Sequence, residues 1–188
     1  MDKSSLQQNR LALLLVLTLL LAVPAAIPAP AHAGTANGAG TARIVTVITV
    51  TATQNLNFGE VYPGIPKEMG YNRDDSSGIF TITGEASAEI NLDLVLPEYL
   101  ALTNGSDRMS VVFDDASAAI DTTTTTPSLV GSSNGWINQD PRNLPAAAVI
   151  GSGGVTRLYI GGRVAPSSAQ TAGSYTGDIV LSVSYTGN

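Results

Sequence analysis

The chain contains no cysteine, a single histidine and a single tryptophan. Charge is also scarce, because only 13% of its 188 residues are Asp, Glu, Lys or Arg. Without cysteine there is no disulfide framework, no thiolate metal site and no cysteine nucleophile. Nine basic residues face fifteen acids, for a formal charge of −6. That balance argues against a nucleic-acid binder, which needs a basic surface to displace phosphate counterions. Little Glu, Lys and Gln leaves poor material for surface helices. What remains is rich in Gly, Thr, Ala and β-branched aliphatics.

The N-terminus reads as an address. Lys3 and Arg10 give a weakly basic start, Leu11 to Val23 is an apolar run, and Pro24 breaks it. Ala31-His32-Ala33 then offers small residues at the two positions a signal peptidase reads. This three-part order predicts a secretory signal peptide over residues 1–33. The competing reading is an uncleaved anchor, but the run is shorter than the ~20 residues of a membrane span, and no basic stop-transfer cluster follows. Cleavage removes Asp2, Lys3, Arg10 and His32, so the mature chain is one unit more negative, has no histidine and keeps one lysine, Lys67. The expected location is secreted: the periplasm in transit, then the cell surface or beyond. Disulfides are permitted there, and this chain uses none.

Residues 34–42 hold only small and polar side chains and read as a flexible mature N-terminus. From Arg43 the texture changes to Ile44, Val45, Thr46, Val47, Ile48, Thr49, Val50 and Thr51, a strong strand-former run. Both of its faces are partly apolar, which predicts a strand covered on both sides. Period-2 alternation then recurs: Leu56, Phe58, Tyr62; Phe80, Ile82; Ile90, Leu92, Leu94, Leu96; Met109, Val111, Phe113; Leu158, Ile160, Val164; and Ile179, Leu181, Val183, Tyr185. Such alternation in many short segments predicts an antiparallel all-β domain over residues 43–188. About seven strands without an internal repeat suggest a two-sheet sandwich. Asn104-Gly105 marks a tight turn. The stretch Asp114 to Ala148, with the Thr122–Thr126 run, Trp136, Pro141 and Pro145, predicts a long loop with at most one short strand.

Chemistry-bearing constellations are thin. A nucleophile needs a base, and the mature chain offers only Lys67, in the turn-rich Pro66-Lys67-Glu68 stretch. Glu85, Glu89 and Asp93 are four apart, about 13 Å along a strand, too far for neighbours to act as a glycosidase pair. They read as charges on a solvent-facing strand face. Asp74-Asp75 and Asp114-Asp115 lack a calcium-loop pattern and read as turn acids. Gly151-Ser152-Gly153-Gly154 lacks the Gly-Lys-Ser/Thr of a phosphate loop. Asn104-Gly105-Ser106 fits a glycosylation sequon as well as a turn. The threonine run reads as a solvated loop or an O-glycosylation tract. Trp136 is either a plug in the core or an exposed platform for a sugar. The expectation is no catalytic residue, no metal and no cofactor.

Three stretches resemble a known family when taken in order: Asn55-Leu56-Asn57-Phe58-Gly59-Glu60-Val61, Gly78-Ile79-Phe80-Thr81-Ile82-Thr83-Gly84-Glu85, and Ala172-Gly173-Ser174-Tyr175-Thr176-Gly177 with Val183-Ser184-Tyr185. Over Ile44 to the C-terminus the chain resembles bacterial secreted proteins grouped as domain of unknown function 4402. That group is similar to spore coat U domains and fimbrial subunits. The resemblance implies an immunoglobulin-like, pilin-like antiparallel β-sandwich with a structural or adhesive role at the cell surface. It supplies no catalytic residue.

The resemblance also implies assembly by strand complementation, in which an extension of one subunit fills a groove in the next. The candidate subunit-interface strand carries Ile44, Thr46, Ile48 and Val50, and the candidate C-terminal edge strand carries Ile179, Leu181, Val183 and Tyr185. Residues 44–52 serve either as that donor strand or as the first strand of their own sandwich. The expected partners are further copies of the chain in a fimbria-like filament, a periplasmic chaperone or outer-membrane assembly factor, and surface glycans. The alternative function is a self-contained secreted sandwich that binds a glycan or another surface ligand through Trp136 and the 114–148 loop.

Overall fold

The computed structural model describes residues 35, 37–131 and 135–187. The expected signal peptide lies outside the described residues. The chain divides into two units, residues 1–42 and 43–188. In the first, the described residues have no regular structure and are exposed.

The second unit is an all-β antiparallel sandwich. One layer has the order β1 (Thr49–Gln54), β3 (Gly78–Thr83), β10 (Val155–Ile160), β7 (Ala118–Asp121), β8 (Gly135–Gln139). Opposite it lie two further sheets, one of five strands and one of three. One has the order β12 (Tyr175–Thr176), β5 (Tyr99–Leu102), β6 (Arg108–Val112), β11 (Gly162–Ala165), β2 (Lys67–Met69). The other has the order β13 (Val180–Tyr185), β4 (Glu89–Val95), β9 (Ala148–Val149).

Among the described residues, thirteen short strands stand where the sequence spacing suggested about seven. The surplus arises because long strands bend between sheets. β10 and β11 are separated only by Gly161, where the chain passes from one layer to the other. A Cβ on Gly161 would sit 2.4 Å from the Met69 carbonyl oxygen and 2.6 Å from the Tyr71 nitrogen, so only glycine allows this close passage. β4 and β5 bend at Leu96-Pro97, and β12 and β13 bend alongside them, with Tyr175 opposite Leu102 and Val180 opposite Val95.

The alternation expected along β4 is realised. Ile90 and Leu92 are buried, while Glu89, Asn91 and Asp93 face solvent. Phe80, Ile82, Met109, Val111, Phe113, Leu158, Ile160, Val164 and Leu181 fill the core between the layers. Burying a side chain of this size contributes about 1.5–3 kcal/mol, which is how a chain without disulfides holds together.

Three expectations are corrected. The first strand starts at Thr49 and is mostly exposed, because it lies at a sheet edge and pairs only with β3. The strands covered on both faces are instead β3, β10 and β7. On their outer face Ile79, Tyr159 and Ala119 form a row covered by Tyr71 and Val130. Second, Leu56 to Tyr62 is not a strand. The Asn57 Oδ1 accepts from the Gly59 N–H at 2.8 Å and Gly59 has φ +63°, so a local turn outcompetes the ladder. Third, the 114–148 segment is structured: it carries β7, the turn of 3-10 helix Pro127–Leu129, and β8.

Buried Asp121 organises that last segment. Its Oδ1 accepts from the backbone N–H groups of Thr123 (2.7 Å) and Thr124 (3.0 Å), and its Oδ2 from Gly131 N–H (3.2 Å). Burial pushes its pKa up, but these N–H donors outweigh it and hold the carboxyl below the usual value. The Tyr159 hydroxyl donates to the Thr124 carbonyl at 2.8 Å, and desolvation pushes its pKa up to about 12. Asp74 clamps the short helix from outside by accepting from Ser128 N–H at 2.7 Å and its hydroxyl at 2.9 Å. One turn acid and part of the threonine run thus act as struts.

Candidate functional site: a groove between two strand edges

β1 and β13 are both edge strands, each hydrogen-bonded on one side only. They approach each other at the Tyr185 end. There the Tyr185 hydroxyl donates to the Thr46 carbonyl (2.6 Å) and accepts from the Glu85 N–H (2.6 Å). The Glu85 carboxylate accepts from Thr46 N–H (3.2 Å) and its hydroxyl (3.0 Å), and pairs with Arg43. The Thr46 backbone N–H above all holds the Glu85 carboxyl below its ordinary pKa. Gly84 makes room for this knot, since a Cβ there would lie 2.6 Å from the Tyr185 hydroxyl.

Away from Tyr185 the edges part and leave a groove of about 960 Å³. One lip runs from the end of β1 through the irregular segment Leu56–Pro63, and the other is Gln170–Ile179. Core side chains, among them Phe58, Phe80, Met109 and Phe113, form its floor. The second lip is pinned by Asp107. Its carboxylate accepts from Thr171 N–H (2.9 Å), Gln170 Nε2 (3.0 Å) and the Tyr175 hydroxyl (3.0 Å). The Thr171 N–H foremost brings its pKa down to about 2.

The predicted interface residues fall into two sets. Ile48 and Val50 pack against the core of their own chain, and Thr46 belongs to the Glu85 knot. Ile44 is 97% exposed and Val47 79%, so these two apolar side chains ahead of β1 stand in solvent. In β13, Leu181, Val183 and Tyr185 turn toward the core, with Ile179 just ahead of the strand. Trp136 lies on β8, at the far edge of the first layer, and is 42% exposed. It is not part of the groove.

Asp107, Gln170 and Glu85 were not singled out as groove-shaping residues by sequence, because a lone polar residue in a turn carries no pattern. Tyr175 was visible only as part of the Ala172–Gly177 stretch, with no sign of its place in the groove lip. Lys67, the sole lysine of residues 34–188, lies in β2 and donates to the Glu60 carbonyl at 3.0 Å. No group of three or more His, Cys, Asp or Glu that could hold a metal is found among the described residues. Nor does any helix among them have the length and apolarity to cross a membrane. No family model matches the sequence, and no curated protein is significantly similar to it.

Proposed function

We propose that the protein is a secreted, cell-surface structural subunit that assembles by β-strand addition into a fimbria-like polymer. The observation that carries this reading is the groove between β1 and the β12–β13 edge, floored by core side chains and flanked by unpaired strand edges. An unpaired edge beside open core is a template for another strand, and proteins normally cover or disrupt such edges. An inserted strand gains main-chain hydrogen bonds from the edge and buries alternate side chains in the floor. The exposed Ile44, Val45 and Val47, preceded by small residues, supply an extension of suitable chemistry. An immunoglobulin-like strand arrangement belongs to the same proposal, as does export through the periplasm with help from a chaperone or outer-membrane assembly factor.

Electron microscopy of the purified protein and of the producing cell's surface tests it, beside a variant lacking residues 37–45. Filaments are expected from the intact chain, and a folded, unassembled sandwich from the deletion. An intact chain that stays monomeric at high concentration and cannot be told apart from the deletion variant overturns the proposal.

A further inference from the structure

A second recess lies at the opposite margin of the sandwich, where β8 of one layer and β9 of the other form the edges. It encloses about 270 Å³. Trp136 and Val149 form its apolar walls, and both are partly exposed, at 42% and 38%. Buried Ile120 and Ile150 lie at its base. Ser87, Thr122 and Ser152 complete the lining, and their hydroxyls have no hydrogen-bond partner among the described residues. No charged side chain lines it.

The backbone holds this arrangement in place. Ser87 has φ +61°, a left-handed conformation uncommon for a residue with a Cβ. Its N–H is tied to the Ile150 carbonyl at 3.0 Å. The Thr156 hydroxyl donates to the Val149 carbonyl and accepts from the Gly151 N–H, each at 3.0 Å, which fixes the wall that carries Ser152. Gly151 is required there, because a Cβ would lie 2.7 Å from the Val155 carbonyl oxygen and 2.8 Å from that of Thr122.

An uncharged recess with a partly exposed indole in its wall and a few free hydroxyls selects a narrow class of ligand. A phosphate or carboxylate would find no cation. A purely apolar ligand would leave the hydroxyls unused, whereas binding sites combine apolar walls with a few placed polar groups. A pyranose has both features: a C–H face that packs on an aromatic ring and a rim of hydroxyls. We propose that this recess is a subsite for one neutral sugar unit, with Trp136 as the stacking platform and Ser87, Thr122 and Ser152 as its polar contacts. The site is separate from the groove, so either proposal can fail without the other.

The only tryptophan in the chain is the platform itself, so its fluorescence reports this site alone. The purified protein is titrated with glucose, galactose, mannose and N-acetylglucosamine and applied to a glycan array. At least one neutral sugar should shift the Trp136 emission saturably, and the same unit should recur among the array hits. Trp136→Ala should lower affinity about tenfold or more, read by calorimetry or on the array. Trp136→Phe should keep part of the binding, and Ser152→Ala should weaken it with the fold intact. If no sugar moves the emission and the array is blank, the proposal is overturned. It is equally overturned by glycan binding that survives Trp136→Ala, or by an emission change that follows only protein concentration, which would mark the recess as a contact between copies.

Discussion

Along one seam of the sandwich β1 approaches β13, and along the other the margins are β8 and β9. The first is tied by polar contacts at one end, where Tyr185 and Glu85 hold Thr46, and opens at the other into a groove of about 960 Å³. The second has no charged lining and holds a recess of about 270 Å³ between Trp136 and Val149. The difference separates two ways of leaving a sandwich unfinished. A hydrogen-bonded tie is directional, so the first seam is fixed at one end and leaves unpaired strand edges beside the groove, suited to a strand. The second is shaped by packing and close backbone passages, and suits a small, uncharged ligand. One molecule thus presents a long open groove and a small recess, with no titratable group lining the smaller one.

The sharpest way to break the comparison is to damage both seams at once. Gly161 passes one strand into both layers, and a methyl there meets backbone atoms at 2.4 and 2.6 Å. Gly161→Ala should cost about 4 kcal/mol or more in chemical denaturation, the range reserved for disrupted cores. A loss under about 1 kcal/mol would show that the bend does not depend on glycine.

Gly151→Ala should damage only the second seam. Its Cβ would press on the Val155 and Thr122 carbonyls, an overpacking cost of about 2 kcal/mol. Trp136 fluorescence should change while the Thr46 amide keeps its protection from hydrogen exchange. Loss of protection at Thr46 would mean that the seams are coupled. Tyr185→Phe is the converse. It keeps the ring and deletes a hydroxyl that makes two hydrogen bonds, at a cost of about 1 kcal/mol. The amides of Thr46 and Glu85 should then exchange faster, with Trp136 emission unchanged.

How far the sequence foretold these seams depends on residue type. The inward side chains of β4 and β6 were legible because a half-buried strand writes its faces as a period of two. β7 was lost inside a loop: Ala118-Ala119-Ile120-Asp121 is buried on both faces, so it shows no alternation. Leu56, Phe58 and Tyr62 misled for the opposite reason. They alternate, but Asn57 and Gly59 form a turn, and the segment became a groove lip. Trp136 stood out as a lone aromatic. Ser87, Thr122 and Ser152, which join it in the recess, are far apart in sequence and ordinary in type. Only the strand pairing that sets β7 beside β8, and β4 beside β9, brings them together. Asp121 shows the same limit, since nothing in an isolated aspartate announces that it will gather three backbone N–H groups.

The smallest expected effect concerns acid. Asp107 holds the groove lip, and its pKa of about 2 lies below the ~3.9 of an unfolded aspartate. The folded state therefore favours the charged form. Its contribution is complete above the unfolded value and is lost as pH falls through the folded one, from about pH 4 toward pH 2. The carboxylate is partly exposed to solvent, so the change in global stability should be slight. The lip should report it more clearly. As pH falls through this window, the Thr171 N–H loses its charged acceptor and its NMR shift should move with an apparent pKa near 2. In Asp107→Asn that titration should vanish, with the Thr171 shift constant across the range. A Thr171 resonance that titrates near pH 4 in the wild type, or titrates unchanged in Asp107→Asn, would show that this carboxylate does not pin the lip. The first seam would then have its polar tie at the Tyr185 end alone.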